Sequence, residues 1–422
     1  MRRLAAALSA LVAALAFGAA RAAADGVAFG VNDNAGLYEA GTGPFWDTMT
    51  GLGLTTNTIT LRWDETAVDG LDPTDAADLA PALAAAKKAG VTIEFDVYPR
   101  HAKELSSPRG PARFAAFLTT LAKTYPDVDQ YVVMNECNQD LFVNPQSARG
   151  RNVSAARCGA FLAAGYDALK AVSPDIFVWG LGLSPRGNAP TKRDNPSTDP
   201  IDWLGFLGKW YRGSKRTKPL MDGLDLHPYP IPQSLPFATG YQNPRSFSVA
   251  NLPRVYSAFY RAFSGTGQAT VGLVGRLPVQ LNEVGIQTSS AGRPGYTGVE
   301  TSTGPNGGLR PPYDTPRYQA QWYMKLVDFS ECDADVRSVN LFKLVDETSR
   351  AGWQSGLFYA GFVPKLSAGA VEYEIATDGG RCPAGRPSYW APFDVYGGSF
   401  ALDALVAGLV PTRPAPPPIT GR

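Results

Sequence analysis

Histidine is the scarcest chemistry-bearing residue in this sequence. His101 and His227 are the only two among 422 residues. Two imidazoles are too few for the His-rich sites of metal-dependent hydrolases, so no metal is expected. The four cysteines, Cys137, Cys158, Cys332 and Cys382, include no C-x-x-C pair, which argues against a structural zinc site. There is no polycationic run, and 39 basic residues face 38 acidic ones. Nucleic acid and anionic membrane surfaces are therefore not expected partners. No G-x-G-x-x-G follows the first strand candidate, so the sign of a dinucleotide site is missing. No cofactor of any kind is expected. Past the N-terminus, no apolar run is long enough to cross a bilayer.

The N-terminus itself is distinctive. "MRRLAAALSALVAALAFGAARAAAD" runs from two arginines through a short apolar stretch to small residues. That order marks a secretory signal peptide, cleaved after Ala22 or Ala24. The Ala-rich run from Leu4 to Ala20 is short for a span of about 20 residues. Residues 1–24 are thus expected to be removed and the protein secreted. Removal takes Arg2, Arg3 and Arg21 and no acid, leaving 36 basic residues against 38 acidic ones. Export implies an oxidising compartment. Four cysteines allow three connectivities, and nearness in sequence favours Cys137–Cys158 with Cys332–Cys382. Four buried free thiols are the blander reading.

Short apolar or β-branched runs alternate with Ala-rich helical segments along the rest of the chain. Eight strand candidates stand out: "VAFGVND", "TTNTITLRW", "VTIEFDVYP", "QYVVMNE", "IFVWGLGL", "GLDLHPY", "LPVQLNE" and "VRSVNLFKLVD". Helical candidates lie between them. "DAADLAPALAAAKKAG" ends on Gly90 in the manner of a helix-terminating glycine. "GPARFAAFLTTLAKTYPD" has Pro111 near its start and Pro126 as its stop. A last helix is expected near "SFALDALVAGL". Strands alternating with helices imply parallel βαβ units, and eight such units imply a closed (β/α)₈ barrel, an α/β TIM barrel, over residues 25–410. Gly/Pro-rich, aromatic stretches at 231–248, 286–315 and 347–390 are read as long βα loops. The tail "PTRPAPPPITGR", residues 411–422, reads as a disordered Pro-rich end.

The strand ends carry the chemistry. "YVVMNECNQD" stops an apolar run on Asn135 and Glu136, and "LPVQLNEVGIQT" stops on Asn282 and Glu283. The second strand ends on Arg62, and the sixth delivers His227 and Tyr229. In a parallel barrel all these ends share one rim, where catalytic groups collect. Cleaving a glycosidic bond needs two carboxyl groups in different protonation states. Arg62 and the Tyr229 hydroxyl are placed to hold one carboxylate ionised, and the Asn135 amide to bind a sugar hydroxyl beside the reacting centre.

Together, Asn135-Glu136, His227-x-Tyr229 and Glu283 resemble the motif set of the large clan of retaining (β/α)₈ glycoside hydrolases. That clan includes cellulases, mannanases and β-xylosidases. The resemblance implies Glu136 as acid/base and Glu283 as nucleophile, supported by Arg62, Asn135, His227 and Tyr229. The expected substrate is plant or microbial polysaccharide or oligosaccharide, and the protein is expected to be a monomer. The tryptophan that clan members often carry at the end of the eighth strand is missing from "LFKLVDE". Phe342 on the strand or Trp353 in the following loop are its candidate replacements, and Trp353 is taken as substrate-binding. His101 is a further candidate for the rim, and Trp46, Trp63 and Trp179 are candidate stacking platforms. The blander readings are structural acids for Glu136 and Glu283, a core histidine for His227 and a rim ion-pair partner for Arg62. An inactive barrel that only binds carbohydrate is the alternative function.

Overall fold

The computed structural model describes residues 26–377, apart from residues 40, 67–69, 72, 188–195, 272–276 and 300–310. The expected signal segment, the helix near 399–409, the Pro-rich tail and Cys382 lie outside the described residues. Eight strands are present: β1 (Ala28–Asn32), β2 (Thr56–Trp63), β3 (Thr92–Pro99), β4 (Gln130–Val133), β5 (Phe177–Leu183), β6 (Gly223–Leu226), β7 (Val279–Val284) and β8 (Val336–Phe342). They close into one parallel barrel in chain order, with β8 pairing back onto β1. A helix follows each strand: α1 (Phe45–Gly51), α2 (Pro73–Ala89), α3 (Gly110–Thr124), α4 (Ser154–Val172), α5 (Pro200–Gly213), α6 (Leu252–Phe263), α7 (Pro316–Cys332) and α8 (Leu366–Thr377). This is the (β/α)₈ barrel.

Two faces of each strand do different work. On β2, Ile59, Leu61 and Trp63 are buried and belong to one continuous apolar core. The alternate residues meet across the bore. The Thr58 hydroxyl lies 2.7 Å from Asn282 Oδ1, although β2 and β7 are not neighbours. Gln280 donates to Glu94 at 2.7 Å, and Asn340 donates to Thr58 at 3.0 Å and to Asn282 at 2.9 Å. Bores of such barrels are commonly filled by branched apolar side chains. This one is lined by amides, hydroxyls and acids, and the strand period of two puts them there.

Glu94 sits in that network with no exposure to speak of. Burial, then the charge of Asp225, pushes its carboxyl up to about 8, against the lowering effect of Gln280 and Thr58. In the unfolded chain a glutamate titrates near ~4.3. Between those values the folded protein holds a proton that the unfolded chain releases, so stability falls as pH rises through this window. Glu94→Gln keeps the accepting oxygen and removes the titration. The variant should match wild type at pH 4 and gain about 5 °C in Tm at pH 9. Thermal melts that differ equally at both pH values would contradict this.

Helix ends follow the expected chemistry. Gly90, at φ +77, terminates α2. Thr315 accepts from the Tyr318 N–H at 3.2 Å with Pro316 behind it, capping α7. One expectation needs correction. Residues 347–390 read as a single loop, yet 366–377 form α8, which packs on α7 through Ala320, Met324 and Ala370. Its apolar residues do not fall on one stripe, so periodicity gave no helical signal. The Cys137–Cys158 disulfide is formed, with Cα atoms 6.2 Å apart. It ties the residue after Glu136 to α4. Cys332 is not free, and its expected partner, Cys382, lies outside the described residues.

Candidate active site

A cavity of about 550 Å³ opens at the carboxyl-terminal rim. Its wall includes Arg62, Asn135, Glu136, Tyr229, Glu283 and Trp353, so six of the seven site residues expected from sequence share it. The seventh, His227, is fully buried just beneath.

Local backbone irregularity aims the two glutamates. Past the end of β4, Met134 has φ +73 and Glu136 φ +39. Positive φ strains residues that carry a Cβ and persists only where the surroundings enforce it. Here the Met134 N–H donates to Val97 O at 3.0 Å and the Glu136 N–H to Gly182 O at 2.9 Å, and the disulfide anchors the next residue. On β7 the register slips. Leu281 pairs with Val339 and Val284 with Leu341, so three steps on β7 oppose two on β8. A bulge of this kind re-aims a side chain. Asn282 enters the bore network, and Glu283 still lines the cavity. The two Asn-Glu pairs are therefore not equivalent, because Asn135 lines the cavity and Asn282 does not.

His227 joins the two acids. Its Nδ1 lies 3.1 Å from Glu136 Oε1 and 3.6 Å from Glu283 Oε2, and its Nε2 lies 3.7 Å from Asp225 Oδ2. The Tyr229 hydroxyl donates to Glu283 Oε2 at 3.1 Å. One oxygen from each glutamate and one His227 nitrogen all lie within 4.8 Å of one another. Burial opposes charge on His227, yet the carboxylates of Glu283, Asp225 and Glu136 outweigh it and hold its pKa well above the ordinary value. Burial raises Glu283. The His227 charge and the Tyr229 hydroxyl oppose that rise, while Glu136 and Asp225 add to it, and the carboxyl stands at about 7. The same three atoms form the donor set a metal would require. Ligation needs a neutral imidazole, and the acids around His227 work against that form.

Arg62 departs from the expected role. It is exposed in the cavity wall and forms no ion pair with Glu283 or any other described carboxylate. Tyr229 and His227 hold Glu283 instead. Trp353 meets Tyr229 at 5.2 Å and Phe342 at 4.9 Å between ring centroids. Both candidate replacements for the absent strand-end tryptophan thus converge on one aromatic wall beside Glu283. Trp46, Trp63 and Trp179 are buried in the fold, and His101 stands half-exposed outside the cavity wall.

Several wall residues were not foreseen: Asn32, Asn34, Gln139, Arg186 and Lys343. Lys343 has φ +93, and its Nζ lies 3.3 Å from Glu347 and 3.8 Å from Asp33. A lysine closing an apolar strand, four residues before a glutamate, was the available signal. Arg186 follows β5 in a loop and left no pattern to read.

Gly182, at φ +47, faces the site from β5. A Cβ there would lie 2.8 Å from Asn135 Oδ1 and 3.2 Å from the His227 ring. Gly182→Ala should therefore cost about 2 kcal/mol and displace Asn135. Urea denaturation checks this, and a cost under about 0.5 kcal/mol would contradict the crowding described.

Eight parallel strands with paired acids at the carboxyl-terminal rim define a (β/α)₈ barrel carrying a rim site. No family model matches the chain, and no curated protein matches it. Solved structures do. A family 5, subfamily 18 glycoside hydrolase from Streptomyces cattleya, solved with GlcNAc, matches with a TM-score of 0.55 and 16% identity, covering 92% of both chains. A glucosidase from Croceicoccus marinus matches at 0.51 and 12%, covering 79% of this chain and 63% of its own. A family 39 glycoside hydrolase from Bacteroides cellulosilyticus matches at 0.50 and 15%, covering 83% and 63%. This chain thus spans less than two thirds of the latter two. At these identities the likeness establishes the fold, which is that of (β/α)₈ glycoside hydrolases.

Proposed function

We propose that the protein is an exported, retaining β-glycoside hydrolase. One observation carries the reading: a carboxylate oxygen of Glu136 and one of Glu283 lie within 4.8 Å of each other at the cavity. Retaining enzymes hold their two carboxyl groups about 5–5.5 Å apart, and inverting enzymes about 6.5–9.5 Å, to admit a water. The solved glycoside hydrolases that share the fold support the reaction class. The signal-like N-terminus and the Cys137–Cys158 disulfide support export.

In this reading Glu283 attacks the anomeric carbon and the bond to the leaving oxygen breaks. Glu136 gives that oxygen its proton. A covalent glycosyl ester on Glu283 results. Glu136, now a carboxylate, takes a proton from water, whose oxygen attacks the anomeric carbon and frees Glu283. Tyr229 and His227 orient the nucleophile, Asn135 binds a sugar hydroxyl, and Trp353 offers a ring face for stacking.

Attack requires ionised Glu283, whose carboxyl is raised to about 7. The acid limb of kcat/KM should therefore lie well above pH 4.5, falling about tenfold per unit below its midpoint. A rate profile from pH 4 to 9 checks this, and a limb at or below 4.5 contradicts it. The reading as a whole is tested on a panel of 4-nitrophenyl β-glycosides. Release of 4-nitrophenol unaffected by EDTA is expected. Sugar binding without release would favour the inactive binder, and an EDTA-sensitive rate restored by zinc would favour a metalloenzyme.

A further inference from the structure

Among the described residues, two cations in the cavity wall have no anion. Lys343 is engaged by Glu347 and Asp33, and His227 by Glu136, Glu283 and Asp225. Arg62 and Arg186 also face the cavity, and neither forms an ion pair with a described residue. Arg186 is half-buried, and its Nε is shielded from solvent with no hydrogen-bond partner. That nitrogen has lost its hydration, and no described residue supplies the guanidinium with a counter-charge.

Their placement is specific. Around the barrel the order runs β2, β3, β4, β5. Arg62 is the last residue but one of β2, Glu136 follows β4, and Arg186 lies three residues past β5. The two arginines therefore bracket Glu136 along one arc of the rim. A neutral sugar offers only hydroxyls, for which the wall already holds Asn32 and Asn135, each with an amide atom that has no other partner among the described residues. The planar guanidinium fork is matched instead by an anion with two or more coplanar or splayed oxygens. An anionic sugar entering between Glu136 and Glu283 also needs cations to offset their repulsion.

We infer that the cavity takes a sugar bearing an anionic group, a ring carboxylate or a sulfate ester, whose charge is met by Arg62 and Arg186. The inference rests on the hydrolase reading and names the substrate class within it.

The test compares matched 4-nitrophenyl β-glycosides in the gluco, galacto and manno series: the neutral hexoside, the hexuronide and the 6-O-sulfate. The full protein should prefer an anionic member over its neutral counterpart by about tenfold or more in kcat/KM. Which anion is preferred separates carboxylate from sulfate. Arg62→Met and Arg186→Met should each pull that ratio down by about tenfold, mainly through KM, and added salt should erode it. Equal or better turnover of neutral glycosides overturns the inference while leaving the hydrolase reading intact. A ratio unchanged in both variants overturns it too. Failure to hydrolyse any member sinks the hydrolase reading, and the inference with it.

Discussion

Glu283→Ala should abolish turnover of every glycoside, with kcat lowered by about 10⁴-fold or more, on the scale seen when a covalent nucleophile is removed. The side chain sits where nothing else replaces it. Its carboxylate accepts from Tyr229 at 3.1 Å and lies 3.6 Å from His227. Without it no glycosyl ester forms, and the quality of the leaving group cannot compensate. The loss should therefore be equally severe for 4-nitrophenyl and alkyl glycosides. Folding is a separate matter: the variant sheds a carboxyl that burial penalises but takes the acceptor from Tyr229 and one of three anions from His227, and these effects offset. A Tm within a few degrees of wild type, with activity gone, is the expected pair of results. Residual activity above about a tenth of wild type would remove Glu283 from the role of nucleophile.

Glu136→Ala should separate substrates by leaving group. With a poor leaving group the missing proton costs about 10²–10⁴-fold. With 4-nitrophenolate, which departs without a proton, glycosylation of Glu283 proceeds and the ester accumulates, because no base activates water. Azide needs no general base. Adding it should raise turnover of the 4-nitrophenyl substrate and yield a glycosyl azide, detected by mass spectrometry. Wild type should gain nothing from azide. An azide-insensitive Glu136→Ala would contradict the acid/base assignment.

Much of the barrel was legible because each strand and most helices carried a local signal. "TNTITLRW" alternates, and α3 opens on Gly110-Pro111 and ends just before Pro126. α8 was not legible, since its apolar residues form no stripe. The site divides in the same way. Residues at strand ends, Glu136, His227, Tyr229 and Glu283, were readable from position alone. How they are aimed was not. The left-handed turn at Met134 and Glu136 and the bulge that parts Asn282 from Glu283 arise from pairing with neighbouring strands, which no local pattern reports. The polar bore showed as polar residues inside strand candidates, such as Glu94 and Asp96 in "VTIEFDVYP" and Gln280 in "LPVQLNE". Arg186 comes from a loop whose position depends on the whole rim.

The central claim is that Glu283 attacks the sugar directly, with Glu136 close enough to serve both steps. Proton NMR of a hydrolysed β-glycoside, recorded in the first minutes before mutarotation, reports it. The account predicts that the β-anomer of the free sugar appears first. An α-anomer formed first would mean single displacement by water and would contradict it.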